Sequence, residues 1–456
     1  MAGKLTLDEL REAVSSGEID TVLVCQIDMQ GRLMGKRFQG EFFVDQAWQE
    51  THSCNYLQAT DIEMETVPGY KSTSWQTGYG DYTMVPDMNT LRRIPWLEGT
   101  ALVLCDLVDH LTHKEIAHSP RAILKKQIAR LEKMGMKGFM GTELEFFLFK
   151  DSFEEASRKG YKNLNLVSEY NEDYHIFQTT KEENVMRAIR NGLQGANITV
   201  ENSKGEADAG QEEINVLYAE AVTMADNHSI IKNACKEIAW QQGQAVSFMA
   251  KWNDQSAGNS SHIHQSLWSL DGEPLFYDPD AKHGMSELMK NYMAGLLKHA
   301  RDVTYFLAPN INSYKRFVKG TFAPTKTIWS MDNRTAGYRV CGEGSKSVRV
   351  ECRVGGADLN PYLAIAAQIA AGIDGINNKL ELEPEFVGDA YESDSNVEEI
   401  PTTLREATQA LDESRMLRDA FGEEVIEHYV HAARWEQSEY DRRVTDWEVQ
   451  RGFERS

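Results

Sequence analysis

Apolar and polar positions change period several times along the chain, and each change marks an element. Residues 6–16 (TLDELREAVSS) place apolar side chains at helical spacing behind a threonine, which predicts a short capped helix. TVLVCQIDMQGRLMGKRF (21–38) reads as two strands joined by a turn at Gln30-Gly31. Residues 50–95 are rich in Gly, Thr, Tyr and Asp and have no clear period, so long loops are expected. ALVLCDLV (101–108) is a buried strand. SPRAILKKQIARLEKMG (119–135) is an amphipathic helix with a Ser-Pro start and a Gly stop. Strands and helices then alternate to the end. DLNPYLAIAAQIAAGIDGINNKL is an apolar helix opened by a proline, and the tail from about 402 (TTLREATQALDESRMLRDAF) is helical and highly charged. No repeat or low-complexity tract interrupts this order. A domain boundary near residue 110 fits the pattern, dividing the chain into 1–110 and 111–456.

Length supports that division, because 456 residues exceed what one ordinary core fills. Charge narrows the partners. With 70 acidic and 48 basic residues the net charge is -22, which disfavours nucleic acid, whose phosphates need clustered Lys and Arg. No apolar run approaches the length of a membrane span, and MAGKLTLDEL has no apolar signal core. The six cysteines are scattered without a CxxC pair, which argues against a disulfide scaffold and predicts a reducing cytoplasm.

Three segments share one property. In FMGTELEFFLF, Glu143 and Glu145 alternate with Leu144 and Phe146. In SSHIHQSL, His262 and His264 flank Ile263, and in SVRVECRV, Arg349, Glu351 and Arg353 alternate with Val350, Cys352 and Val354. Strand side chains alternate faces, so each segment sends its ionisable groups one way and its apolar groups the other. Any one of them fits a half-exposed strand with a wet outer face. Three together, with two of only 12 histidines in one of them, favour a polar cavity that holds metal and phosphate. In GEADAGQEEINVLY, Glu206 and Glu213 bracket a Gly-rich turn where backbone can approach a ligand. Glutamates with one histidine and no cysteine suit hard cations, Mg²⁺ or Mn²⁺.

With these residues in view the chain resembles the glutamine synthetases. GTELEFFLF, the E…AGQEE turn, GNSSHIHQSL, NSYKRF, DNRTAGYRV, VRVECR and NPYLA occur in that family's order, and the match covers nearly the whole length. The resemblance implies an α+β fold: a small N-terminal β-grasp domain, then a curved antiparallel sheet forming a half barrel with outer helices. It implies ATP and two or three Mg²⁺ or Mn²⁺ ions. Glu145, Glu206 and Glu213 would hold one ion, and Glu143, His262 and Glu351 the second. Gly258, Arg316, Arg334 and Arg353 would receive L-glutamate, with Arg334 stabilising the transferring phosphoryl group. Arg339, Lys346 and Arg349 would contact ATP phosphates, with His264, Ser266 and Tyr218 near the nucleoside. Two stacked hexameric rings are the expected assembly, each site closed by a neighbour's N-terminal domain. The implied chemistry activates glutamate as γ-glutamyl phosphate, which an amine then attacks. The intact set of six ligands argues against a non-catalytic relative.

Two departures concern the amine. In KGTFAPT (319–325), Phe322 stands where ammonia-using members of the family carry a glutamate in the flap loop. Their Asp-Gly-Ser-Ser motif is also missing from NYLQATDIEMETVPGYKSTSW, which offers Asp61, Glu63 and Glu65 instead. A positioned base is worth about 10²–10⁴ in rate, and a phenyl ring takes no proton. Burying ~100 Å² of an apolar amine against the ring returns about 2.5 kcal/mol. A small organic amine is therefore expected, alkyl or aromatic, such as isopropylamine or aniline, with Trp75 and Trp329 as further candidates for the pocket. The rival readings are ammonia and a polyamine.

Overall fold

Thr6 opens the first helix. Its hydroxyl accepts the Glu9 amide, the Glu9 carboxylate accepts the Thr6 amide, and the helix runs Leu7–Ser15. The computed structural model describes residues 3–392 and 397–456. The expected hairpin follows, with Thr21–Ile27 antiparallel to Leu33–Gln39. Asp28 Oδ1 shapes its turn by accepting the Gln30 and Arg32 amides at 3.0 and 2.8 Å, and Gly31 supplies a φ of +80°.

A first sheet runs in the order Leu33–Gln39, Thr21–Ile27, Thr100–Asp109, Asp81–Pro86, Thr51–Cys54. Thr21–Ile27 and Thr100–Asp109 pair in parallel at its centre. The last two strands correct the expectation of loops across 50–95. Each forms only because a strand distant in sequence offers its edge: Thr100–Asp109 for Asp81–Pro86, and Asp81–Pro86 in turn for Thr51–Cys54. Local periodicity does not announce such pairing.

Among the described residues a second sheet has nine strands. Its main path is Trp329–Met331, Tyr338–Cys341, Arg349–Cys352, Ile263–Ser269, Met136–Phe149, Gln211–Val216, Val200–Gly205. All pairs are antiparallel except Trp329–Met331 with Tyr338–Cys341. The sheet curves into the expected half barrel within an α+β fold. Met136–Phe149 is its hub, pairing with four other strands. Leu144, Phe146 and Leu148 lie in the main core, where Pro120–Lys133 and Ala221–Gln241 cover the hub strand. Pro361–Asn378 packs across both of those helices and Glu287–Lys298. It is apolar all round because it is buried all round, and Asn360 caps it through the Tyr362 and Leu363 amides.

One buried arginine ties the first sheet to the second body. Arg121 reaches Asp87 at 2.7 Å, Asp106 at 2.5 Å and Asp226 at 3.1 Å, joining the first sheet to the helix Ala221–Gln241. The charged tail forms Leu404–Glu413, Arg415–Phe421, Glu423–Asp441 and Asp446–Gly452. No helix among the described residues is long and apolar enough to cross a membrane.

Candidate active site

Register assembles the site. Strand alternation puts Phe139, Gly141, Glu143 and Glu145 on one face of Met136–Phe149. Directly across the sheet, Arg339, Glu351, His264 and Gly141 are successive cross-strand partners, so they form one row on that face. Glu145 partners Glu213 on the other side of the hub. His262 enters just ahead of the strand Ile263–Ser269, on the face of His264. The long-range pairing thus gathers residues that the sequence spreads over more than 200 positions.

Two clusters result. Glu145, Glu206 and Glu213 bring ligand atoms within 4.8 Å of one another, as do Glu143, His262 and Glu351. Electrostatically the two differ. Burial opposes ionisation of Glu143, but hydrogen bonds to both histidines outweigh it and hold its carboxyl well below the usual range. Its Oε2 lies 2.6 Å from His262 Nδ1 and its Oε1 2.8 Å from His264 Nε2. Glu351 is fully buried; His262 and Arg353 overcome that burial and keep its carboxyl low. His262 is driven toward the neutral form by burial and then by Arg353. In the other cluster like charges crowd without relief. Burial and then Glu206 push Glu145 up to about 8, and burial with Glu143, Glu145 and Glu206 pushes Glu213 up to about 9.

The donor set fits a pair of hard divalent ions. It is five carboxylates and one imidazole, and the buried His262 Nε2 has no hydrogen-bond partner among the described residues. Around it the supports are specific. Glu145 Oε2 accepts the Ser260 amide at 2.6 Å, and Asn215 donates to Glu213 at 2.8 Å. Lys204 pairs with Glu206. Gln211 Nε2 donates to the Gly258 carbonyl at 3.0 Å and reaches Glu145 at 3.4 Å.

Cations lie on both sides. Arg353 is held by Glu351 at 2.5 Å, and Arg339 by Glu351 at 3.0 Å and by Asp332. Arg316 is buried and donates to Ser260 Oγ and to the Val354 and Gly355 carbonyls. The Nε atoms of Arg316 and Arg353 are buried donors without partners among the described residues. Gly258 is needed here, since a Cβ on it would lie 2.2 Å from Arg316 Cγ. Arg334, Lys346 and Arg349 make no ion pair among the described residues, although the chain carries 22 more acids than bases. Arg349 instead reaches His264 Nδ1 at 3.2 Å.

At the far end of the row sit rings. Phe139 meets Tyr218 edge-on at 5.7 Å and Trp268 at 5.3 Å, and the Trp268 indole donates to Ser266 Oγ at 3.0 Å. Sequence reading named Tyr218 and Ser266 but missed Phe139 and Trp268. The signal was present: each lies an even number of residues from Glu143 or His264 and so shares its face. Lys204 and Gln211 carried no such signal.

The flap loop departs from ordinary packing. Phe322 adopts a φ of +55°, unusual for a bulky residue, and its ring is 53% exposed rather than tucked under the loop. The Lys319–Glu392 ion pair at 2.7 Å and the Ile400-to-Thr325 backbone bond at 2.9 Å hold the loop's two ends. Trp329 is a correction: it is buried and its indole donates to the Glu383 carbonyl at 2.7 Å, so it is core and not pocket. Trp75 is exposed on the first body, edge-on to Tyr79 at 5.1 Å. Asp61, a fallback base for ammonium, is engaged elsewhere. Its Oδ1 accepts the Glu63 and Glu65 amides, and its Oδ2 lies 3.2 Å from the Trp435 indole nitrogen. Glu63 pairs with Arg443 at 3.2 Å.

The model of the glutamine synthetase catalytic domain matches residues 117–452. The chain belongs to the glutamine synthetase family. It is 46% identical over 452 residues to gamma-glutamylethanolamide synthetase of Streptomyces coelicolor, covering 99% of this chain and 96% of that one. It is 35% identical over 445 residues to glutamate–isopropylamine ligase of a Pseudomonas species, covering 97% of each. Among solved structures, the GmaS/ADP complex superimposes with a TM-score of 0.85 at 25% identity, covering 97% of this chain and 99% of that one. Within the glutamine synthetase family the chain therefore falls in the amine-ligase branch, and it is an enzyme of the ATP-dependent ligase class.

Proposed function

We propose that the protein joins L-glutamate to a small organic amine at the expense of ATP, forming a γ-glutamyl amide through γ-glutamyl phosphate. The observation that carries this reading is the pairing of two ligand clusters with the buried, unpartnered Nε donors of Arg316, on the turn Ile311–Arg316, and Arg353, just after the strand Arg349–Cys352. Glu145, Glu206 and Glu213 would hold one Mg²⁺ or Mn²⁺, and Glu143, His262 and Glu351 another. When bound, such ions neutralise nucleotide phosphates and the charge that develops during phosphoryl transfer.

The chain's own residues do the rest. Phe139, Tyr218 and Trp268, with His264 and Ser266, offer the nucleoside a ring-lined end. Arg339, Lys346 and Arg349 face the phosphates. Arg316 and Arg353 bind the glutamate carboxylates through charge-assisted hydrogen bonds, and Gly258 leaves room for them. The side-chain carboxylate oxygen attacks the γ-phosphorus and ADP leaves, with Arg334 beside the transferring group. The amine nitrogen then attacks the acyl carbon, the C–O bond to phosphate breaks, and the amine gives up a proton.

Phe322 supports an organic amine over ammonia. No carboxylate lies in the flap segment 319–325, and Asp61 is committed to a turn. Relatives named for an ethanolamide product and for ligation of isopropylamine support an organic amine, alkyl or aromatic. We take 1–110 and 111–456 as two domains, and the working form as a cytoplasmic homo-oligomer of two stacked hexameric rings. Phosphate release with ATP, Mg²⁺, glutamate and a panel of ammonia, methylamine, isopropylamine, ethanolamine, putrescine and aniline tests the reading. An organic amine should exceed ammonia by orders of magnitude; ammonia in first place would overturn it.

A further inference from the structure

The strand Gln211–Val216 has a second face. Glu213 points to the catalytic row, so the adjacent Glu212 points the other way. There it meets Glu172 and Glu182, and the three carboxylates bring oxygens within 4.8 Å of one another. All three residues are at least 97% buried. Glu172 and Glu182 hydrogen-bond to each other within the cluster, and Oε1 of Glu212 has no hydrogen-bond partner among the described residues. Ser168 and the Gly210 and Gln211 amides lie beside Glu172 and favour its ionised form, while the Gly210 amide also donates to Ser168 Oγ at 2.6 Å and the Gln211 amide to the Asp208 carbonyl at 3.5 Å. Glu182 is the N-cap of the helix Glu183–Gly195, yet its side chain makes no capping bond and is left to the cluster.

The backbone is cut to fit this arrangement. A Cβ on Gly205 would lie 2.4 Å from the Glu172 carbonyl oxygen and 2.8 Å from its Cγ, so only glycine allows Glu172 this close. Buried, unpaired carboxylates are costly unless a proton or a cation neutralises them. Burial and then Glu172 push Glu182 up to about 10, which makes protons the competing occupant. Six carboxylate oxygens with no nitrogen or sulfur select a hard cation. A dry, all-carboxylate cage suits Ca²⁺ or Mn²⁺ better than Mg²⁺, which keeps its waters. Arg190 and Lys204, paired with Glu183 and Glu206, also act on Glu212 and favour its ionised form.

We propose that Glu172, Glu182 and Glu212 form a further divalent-cation site, behind the catalytic face, which fastens the segment 172–182 to the strand carrying Glu213. It is a structural site, separate from the two clusters of the catalytic row.

The test is anomalous diffraction from crystals of the full chain soaked in excess Mn²⁺ at about pH 9, since metal must displace the protons that hold Glu182 at lower pH. The expected result is an anomalous peak bounded by the three carboxylates. No peak there overturns the proposal, whatever the occupancy of the Glu145 and Glu143 clusters. In solution, Mn²⁺ bound per chain should be one fewer than wild type in Glu182→Gln and the same one fewer in Glu182→Gln/Glu212→Gln. Equal counts in wild type and both variants would mean that protons fill the cluster. Should the variants fail to fold, the peak alone decides.

Discussion

Glu145 and Glu213 are direct partners across an antiparallel ladder, two buried carboxylates placed opposite one another. Like charges in that arrangement repel, and burial adds to the cost. Without an ion, protons relieve that repulsion; with one, a cation between them would. Their position fixes how metal, pH and stability must be linked.

In the metal-free protein both carboxyls titrate far above their ordinary value of 4.5, Glu145 at about 8 and Glu213 at about 9. A raised carboxyl means that the folded state holds more protons than the unfolded one. Their contribution to stability is therefore full below about 4.5 and is lost as pH rises through about 8 and 9. Chelated protein should melt at lower temperature at about pH 9 than at about pH 6. Mg²⁺ or Mn²⁺ should reverse this, adding about 2.7 kcal/mol per site at a hundredfold excess over Kd. Thermal melts with and without chelator across pH check it; a chelated protein that becomes more stable with rising pH contradicts the cluster.

The proposed role of Phe322 in amine choice can be tested directly. Phe322→Glu should raise the ammonia rate by about 10²-fold, the lower range for a positioned base, and weaken use of isopropylamine. Without a base on the flap, kcat/KM for an alkylamine should climb about tenfold per pH unit below the amine's own pKa, as the neutral fraction grows. Phe322→Glu should flatten that slope. A pH profile unchanged by the substitution would remove Phe322 from the amine site.

Gly258 holds open the space beside Arg316. Gly258→Ala would place a methyl 2.2 Å from Arg316 Cγ, and the buried guanidinium has its partners on both sides. Overpacking of this kind costs about 1–3 kcal/mol. We expect the KM for glutamate to rise and the KM for ATP to hold. Steady-state kinetics against each substrate, with a melt on the same sample, separate the two effects.

Arg334 is exposed and has no ion-pair partner among the described residues, so nothing in the fold depends on it. Arg334→Ala should leave stability within about 0.5 kcal/mol. If it stabilises the transferring phosphoryl group, kcat should fall about 10³-fold or more. Single-turnover phosphate release measures this directly. A fall shared equally with thermal stability would point to a structural role instead.

Much of this was legible in the chain. Period-two alternation marked the three ionisable strands, because a strand's side chains change face at every residue whatever it pairs with. The helices Pro120–Lys133 and Pro361–Asn378 were legible for the same local reason, their proline starts and apolar spacing. The grouping of six candidate ligands into two triads was expected too, through resemblance and not through spacing, and the fold brings each triad together.

Tertiary structure decided what depends on distant partners. Strands Thr51–Cys54 and Asp81–Pro86 exist because other edges accept their hydrogen bonds. Trp329 is buried with its indole donating to the distant Glu383 carbonyl, and Asp61, already bonded to its own turn, has its second oxygen taken by the distant Trp435. Glu213 and Glu212 are neighbours in sequence with like chemistry, yet one joins the catalytic row and the other a buried cage behind it. Sequence alone determined which side chains could share a face. Only the register of the folded sheet, fixed by long-range hydrogen bonds, decided which faces meet and which carboxylates must share a charge.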